Sequence, residues 1–100
     1  MTVDVAASAA VTPAIARAFI GQARHKNYTH GVIGVRARPE ATRETTFQFG
    51  GQGVRIVPAG SALALREAIR SADPAGWLVV VTDRSDDDLG EALGARGGLA

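Results

Sequence analysis

The sequence predicts a small α/β domain: a mixed, mostly parallel sheet of about four strands with about three helices packed on it. Three observations carry that prediction. Apolar residues recur at helical spacing in three stretches and at strand spacing in the stretches between them. Residues 77–81, Trp-Leu-Val-Val-Val, form the most apolar run of the chain, as a strand covered on both faces requires. The chain has 100 residues, 46% of them hydrophobic and 21% charged, which suits one globular domain and not a disordered segment. A domain this small buries only about 60–65% of the surface its unfolded chain exposes, so its core is thin.

Thr12 followed by Pro13 opens the first helix, over residues 13–24: a capping hydroxyl precedes a residue whose φ is already helical. Ile15, Phe19 and Ala23 with Ala16 and Ile20 give it one apolar stripe, and Arg17 and Arg24 fall outside that stripe. After a polar connection the short apolar run of Val32, Ile33 and Val35 reads as a strand that reaches about Ala37 and that Pro39 stops. Residues 45–49 alternate Thr45, Phe47, Phe49 against Thr46, Gln48, the pattern of an edge or half-buried strand. Gly50, Gly51, Gln52 and Gly53 form a turn by composition, so residues 45–49 and 54–57 should pair as an antiparallel hairpin.

Ser61 caps the next helix, whose apolar positions are Leu65, Ala68, Ile69 and Ala72; residues 73–76, Asp-Pro-Ala-Gly, close it with turn chemistry. The strand at 77–81 follows, then a last helix from about Ser85 to Leu93. Strand, helix, strand over residues 54–81 is a crossover unit of the right-handed kind. The whole is an incomplete Rossmann-like unit. It divides into a flexible N-terminal segment (1–11), the α/β domain (12–93) and a glycine-rich disordered tail (94–100). With so few helices to cover a parallel sheet, an exposed apolar strip, marginal stability and self-association are expected.

Without cysteine, disulfides, thiolate metal sites and thiol catalysis are excluded. Residues 5–11 are apolar but lack a basic leader and a strongly apolar segment, and no run reaches the roughly 18 residues of a membrane span. A cytoplasmic protein with no membrane partner and no cofactor is expected. The net charge is +1, yet from Arg17 to Arg43 six basic side chains face Glu40 alone. Such a patch fits a nucleic-acid partner through Arg17, Arg24, Lys26 and Arg43, with Arg36 and Arg38 alongside; it equally fits a solvated surface.

Ligands of open α/β sheets collect beyond the carboxyl ends of the parallel strands. There the sequence places Arg36 and Arg38, Gly60 and Ser61, then Thr82 and Asp83. Gly60 and Ser61 at a helix start, with the two arginines, could hold a phosphate or carboxylate; Ser61 could also simply cap its helix. Asp83 and Asp86 are candidate Mg²⁺ ligands for phosphoryl transfer, with Ser61 assisting. The rival reading is that Ser85, Asp86, Asp87 and Asp88 start the last helix through capping and the helix dipole. His25 and His30, five apart, lack the spacing of a metal pair, and Trp77 reads as a core anchor.

Three stretches carry a family resemblance: HGVIGVRARPE (30–40), VPAGSALALREAI (57–69) and DPAGWLVVVTDRSDDDLGEAL (73–93). Their order and spacing resemble the amino-terminal region of the PglZ family, the phage-growth-limitation proteins of type 2 BREX phage-defence systems, over residues 12–93. The resemblance implies a non-catalytic scaffold or partner-binding segment linked to phage resistance. Its implied partners are other defence proteins or the remainder of a longer PglZ-like chain. The family's phosphatase chemistry belongs to an alkaline-phosphatase-like domain further along the chain, so no catalytic residue carries over. Where the family continues with apolar residues, this chain reads GARGGLA (94–100), an ending expected of a truncated or shifted reading frame.

Overall fold

Thr12 is an N-cap: its hydroxyl accepts a hydrogen bond from the Ile15 N–H, and Pro13 opens helix α1 (Pro13–His25). This is one element of a computed structural model that describes residues 2–4 and 10–94. In chain order the others are β1 (Thr2–Asp4), β2 (Gly31–Arg36), a single 3₁₀ turn (Pro39–Ala41), β3 (Thr45–Phe49), β4 (Gln52–Pro58), α2 (Ala62–Arg70), β5 (Trp77–Thr82) and α3 (Asp86–Gly94). The strands form one sheet in the order β1-β2-β5-β4-β3. All neighbours are parallel except β3, which pairs antiparallel with β4.

The α/β class, the mixed sheet, the hairpin and the β4–α2–β5 crossover stand as the sequence predicts. Two strands differ. Residues 2–4, inside the stretch expected to be a flexible N-terminal segment, pair with β2 in the register Thr2–Gly34, Val3–Val35, Asp4–Arg36. Three residues are too few for a periodicity signal, so β1 exists only through its partner. Val11 from the same stretch is buried, and its N–H donates to the Thr42 hydroxyl at 3.0 Å. Strand β4 also starts two residues earlier than composition indicates. Only Gly50 (φ 59°) and Gly51 (φ 79°) occupy the turn, as a two-residue hairpin demands, so Phe49 pairs with Gln52. The expected glycine-rich tail lies outside the described residues, except Gly94, which ends α3.

Strand alternation divides the core into two layers. Ile33 and Val35 of β2, Val54 and Ile56 of β4, and Val79 and Val81 of β5 pack against Ala16, Phe19, Ile20 and Ala23 of α1. On the opposite face Val32, Leu78 and Val80 pack against Leu65, Ala68 and Ile69 of α2 and Leu89, Ala92 and Leu93 of α3. Strand β5 is buried along its whole length. Both faces are therefore covered, and the expected exposed apolar strip is absent among the described residues. Only Tyr28 and Leu63 are exposed large hydrophobic side chains there. The short helix α3 suffices because Gly34 of β2 lets it approach: a Cβ built at Gly34 would lie 2.6 Å from Leu89 Cδ2.

Candidate functional site

Three parallel strands end at one level. Arg36 of β2 is in register with Thr82 of β5, and Val81 with Pro58 of β4. The pairing runs one residue further on each side: the Ala37 N–H donates to Thr82 O at 3.1 Å, and the Ala59 N–H to Val81 O at 2.8 Å. A pocket of about 270 Å³ opens beyond β2 and β5, lined by Arg36, Ala37, Arg38, Thr82 and Asp83.

The floor of that pocket is fixed by short-range hydrogen bonds. The Thr82 hydroxyl is fully buried and accepts from the Arg84 N–H at 3.1 Å, which turns the chain as it leaves β5. Ser85 caps α3, its hydroxyl accepting from the Asp88 N–H at 3.2 Å. Arg84 reaches one turn along α3 and grips the Asp88 carboxylate, Nη2 at 2.8 Å and Nε at 3.0 Å. Buried Pro39 anchors the segment after Arg38, and a Cβ built at Gly60 would lie 3.7 Å from its Cγ.

The predicted anion-binding residues separate into two pairs. Arg36 and Arg38 share the pocket; Gly60 and Ser61 do not line it. The Ser61 hydroxyl accepts from the Ala64 N–H at 3.1 Å, which makes it the cap of α2. Of the two metal candidates, Asp83 lies in the pocket beside the arginines, and Asp86 is the first residue of α3, its side chain outside the description. Asp88 is held by Arg84. Among the described residues no group of three or more His, Asp or Glu is placed to hold a metal ion. The pocket thus brings two basic side chains and one acidic side chain together at the strand ends.

Two of the four predicted nucleic-acid residues, Arg17 and Arg24, are engaged with β3. Arg17 stacks over Phe47, 5.2 Å from the ring centre, and Arg24 over Phe49 at 4.7 Å. Arg24 also donates to Phe49 O and to Gln52 Oε1, at 3.1 and 2.7 Å. These two arginines clamp α1 onto the edge strand β3, while Lys26 and Arg43 stand in solvent. His25 and His30 are exposed too, and His30 Nδ1 is paired with the Thr29 hydroxyl at 2.9 Å.

Sequence reading passes over Gln52, which the fold makes a junction. Its Oε1 accepts from Arg24 and, at 2.9 Å, from Trp77 Nε1, while its Nε2 donates to Thr29 O at 2.7 Å and to Ala75 O at 3.1 Å. One amide thus ties together α1, the loop before β2, the hairpin and the start of β5. A glutamine beside glycines carries no signal of this, because all four partners are remote in sequence. Around it lies a broader depression of about 520 Å³, lined by Arg24, Asn27, Tyr28, Thr29, Gly50 and Gln52, at the amino ends of the parallel strands.

Comparison with known protein families gives a match over nearly the whole chain. The family model described as the BREX system PglZ N-terminal domain matches residues 3–97. That span is wider at both ends than the resemblance over 12–93 and takes in most of β1. No curated protein and no solved structure matches the chain.

Proposed function

The chain belongs to the family of BREX PglZ N-terminal domains, and from that premise we propose that it is a non-catalytic partner-binding module of a phage-defence assembly. The observation that carries this reading is the extent of the match, which covers both layers of the fold and not one local motif. Side-chain roles support it. Ser61 caps its helix, and Arg17 and Arg24 hold β3, so three of the residues that could serve phosphoryl transfer or nucleic-acid binding have structural work; Ser85 and Asp88 serve the start of α3.

Strand β3 offers a physical route to a partner. It is the last strand of the sheet, and Thr46 and Gln48 are exposed along it. An edge strand presents unpaired backbone donors and acceptors that an extended segment of another chain can complete. The partners of this reading are other components of the same defence system, or further parts of a PglZ-like polypeptide.

The test is co-expression of the tagged chain with the remaining BREX components, followed by size-exclusion chromatography. Co-elution with at least one component, lost when Gln48→Pro removes a backbone donor from β3, is the expected result. A chain that elutes alone while the other components assemble without it overturns the partner-binding reading. Mg²⁺-dependent phosphatase turnover by the purified chain, abolished in Asp83→Ala, overturns the non-catalytic one.

A further inference from the structure

Resting on the partner-binding reading and naming its ligand, we infer that the open edge of β3 takes up an extended acidic peptide segment as an added strand, with carboxylates on the side of helix α1, where Arg17 receives them. The hairpin sets which backbone groups that edge exposes. Gly50 (φ 59°) and Gly51 (φ 79°) make a two-residue turn, so Phe49 and Gln52 are the pair that exchange backbone hydrogen bonds. Such pairs alternate with non-bonded ones along an antiparallel ladder. Thr45 and Phe47, in register with Ile56 and Val54, therefore bond inward to β4 as Phe49 does. Thr46 and Gln48 turn their N–H and C=O groups outward. Among the described residues nothing pairs with them: β3 ends the sheet, and no turn or loop hydrogen bond reaches either residue. Donors and acceptors at every second residue are the template that an added strand completes. The opposite edge, β1, offers three residues only.

The side chains around β3 set the charge of the segment. On the α1 side Arg17 lies over Phe47 and Arg24 over Phe49, 5.2 and 4.7 Å from the ring centres. Arg24 commits donors to Phe49 O and Gln52 Oε1. Arg17 is exposed and has no hydrogen-bond or ion-pair partner among the described residues, so its guanidinium keeps its N–H donors for an incoming carboxylate. Arg43, exposed just before β3, adds a second such charge. Glu44, the acid that adjoins the strand, is already paired with Arg55 at 2.8 Å. Alternate side chains of an added strand line up beside Phe47 on the α1 side, and carboxylates there come within reach of Arg17.

Charge also decides between an acidic segment and a second copy of the chain. Phe47 is the middle residue of β3, so two copies paired edge to edge would bring Arg17 of each close to Arg17 of the other across the two-fold axis. Like charges so placed repel.

The experiment titrates the full ¹⁵N-labelled chain with blocked peptides that span the length of β3 and alternate valine with glutamate, glutamine or lysine. The glutamate peptide is expected to bind in the millimolar range, shifting the amides of Thr46 and Gln48 and slowing their exchange, with affinity that falls as salt is raised. The glutamine peptide should bind more weakly and the lysine peptide should give no response. Arg17→Glu, at an exposed position, should weaken the glutamate peptide about tenfold, because an attraction becomes a repulsion. Gln48→Pro should abolish binding while the spectrum reports that β3 still pairs with β4. Methylating every backbone nitrogen of the glutamate peptide should do the same with the protein unaltered. Equal binding of the three peptides, or unchanged affinity in Arg17→Glu, overturns the acidic partner. Absence of any shift, shifts confined to other strands, binding that survives N-methylation, dimerisation of the free chain through β3, or preference for a single-stranded oligonucleotide overturns the site. The co-expression test keeps the two readings apart: components that still co-elute with both the Gln48→Pro and the Arg17→Glu chain overturn this inference and leave partner binding standing.

Discussion

Gln52 shows how much one side chain can hold when its partners converge. Its amide is half-buried and uses both donors and two acceptor positions, on four groups from three separate segments. Removing it strands the Trp77 indole N–H and one Arg24 donor together. The expected loss in Gln52→Ala is about 2–3 kcal/mol, since each buried donor left unpaired costs about 1–3 kcal/mol and part of this site is wet. Urea unfolding measures it, and the fluorescence of Trp77, the only tryptophan, should shift to the red as its ring end hydrates. Thr42 is the second such residue. Thr42→Val keeps the volume but takes the acceptor from the buried Val11 N–H, so a loss of about 1–2 kcal/mol is expected on the same titration. Neither residue stands out in the sequence, because a hydrogen bond to a distant backbone leaves no local pattern.

At the scale of elements, the helices follow their caps and stripes: Thr12, Ser61 and Ser85 each accept from an N–H three residues on. What the stripes do not say is how closely a helix can approach its sheet. Helix α3 is nine residues long, and its hold on the sheet depends on Leu89 sitting over Gly34. Gly34→Ala is expected to destabilise by about 1–3 kcal/mol through overpacking against the Leu89 side chain. Leu89→Ala alone should cost about 2–5 kcal/mol by opening a cavity. Because the two changes share one contact, the double variant should be more stable than the sum of the single losses predicts, by at least about 0.5 kcal/mol. Simple additivity in that cycle would show that α3 docks independently of Gly34.

Across the whole molecule, stability should fall from the middle of the sheet outward. Strand β5 is buried from Trp77 to Thr82 and lies between parallel neighbours, whereas β1 and β3 each have one open edge. Native-state hydrogen exchange is expected to be slowest in β5 and β2 and fastest in β1 and β3, with β4 between them. Exchange in β3 as slow as in β5 would mean that its edge is covered in solution. The sequence by itself determined the α/β class, the hairpin, the helix starts and the central place of residues 77–81, because propensity, capping and hydrophobic period act over a few neighbouring residues. It also carried the family, through stretches that stay contiguous in the chain. Tertiary structure alone decided that residues 2–4 are a strand, that three helices cover both faces, that Arg17 and Arg24 brace β3, and that Arg36, Arg38 and Asp83 share one pocket. Those outcomes depend on which strand lies beside which, and strand order is set by packing between segments tens of residues apart, where no local pattern records it.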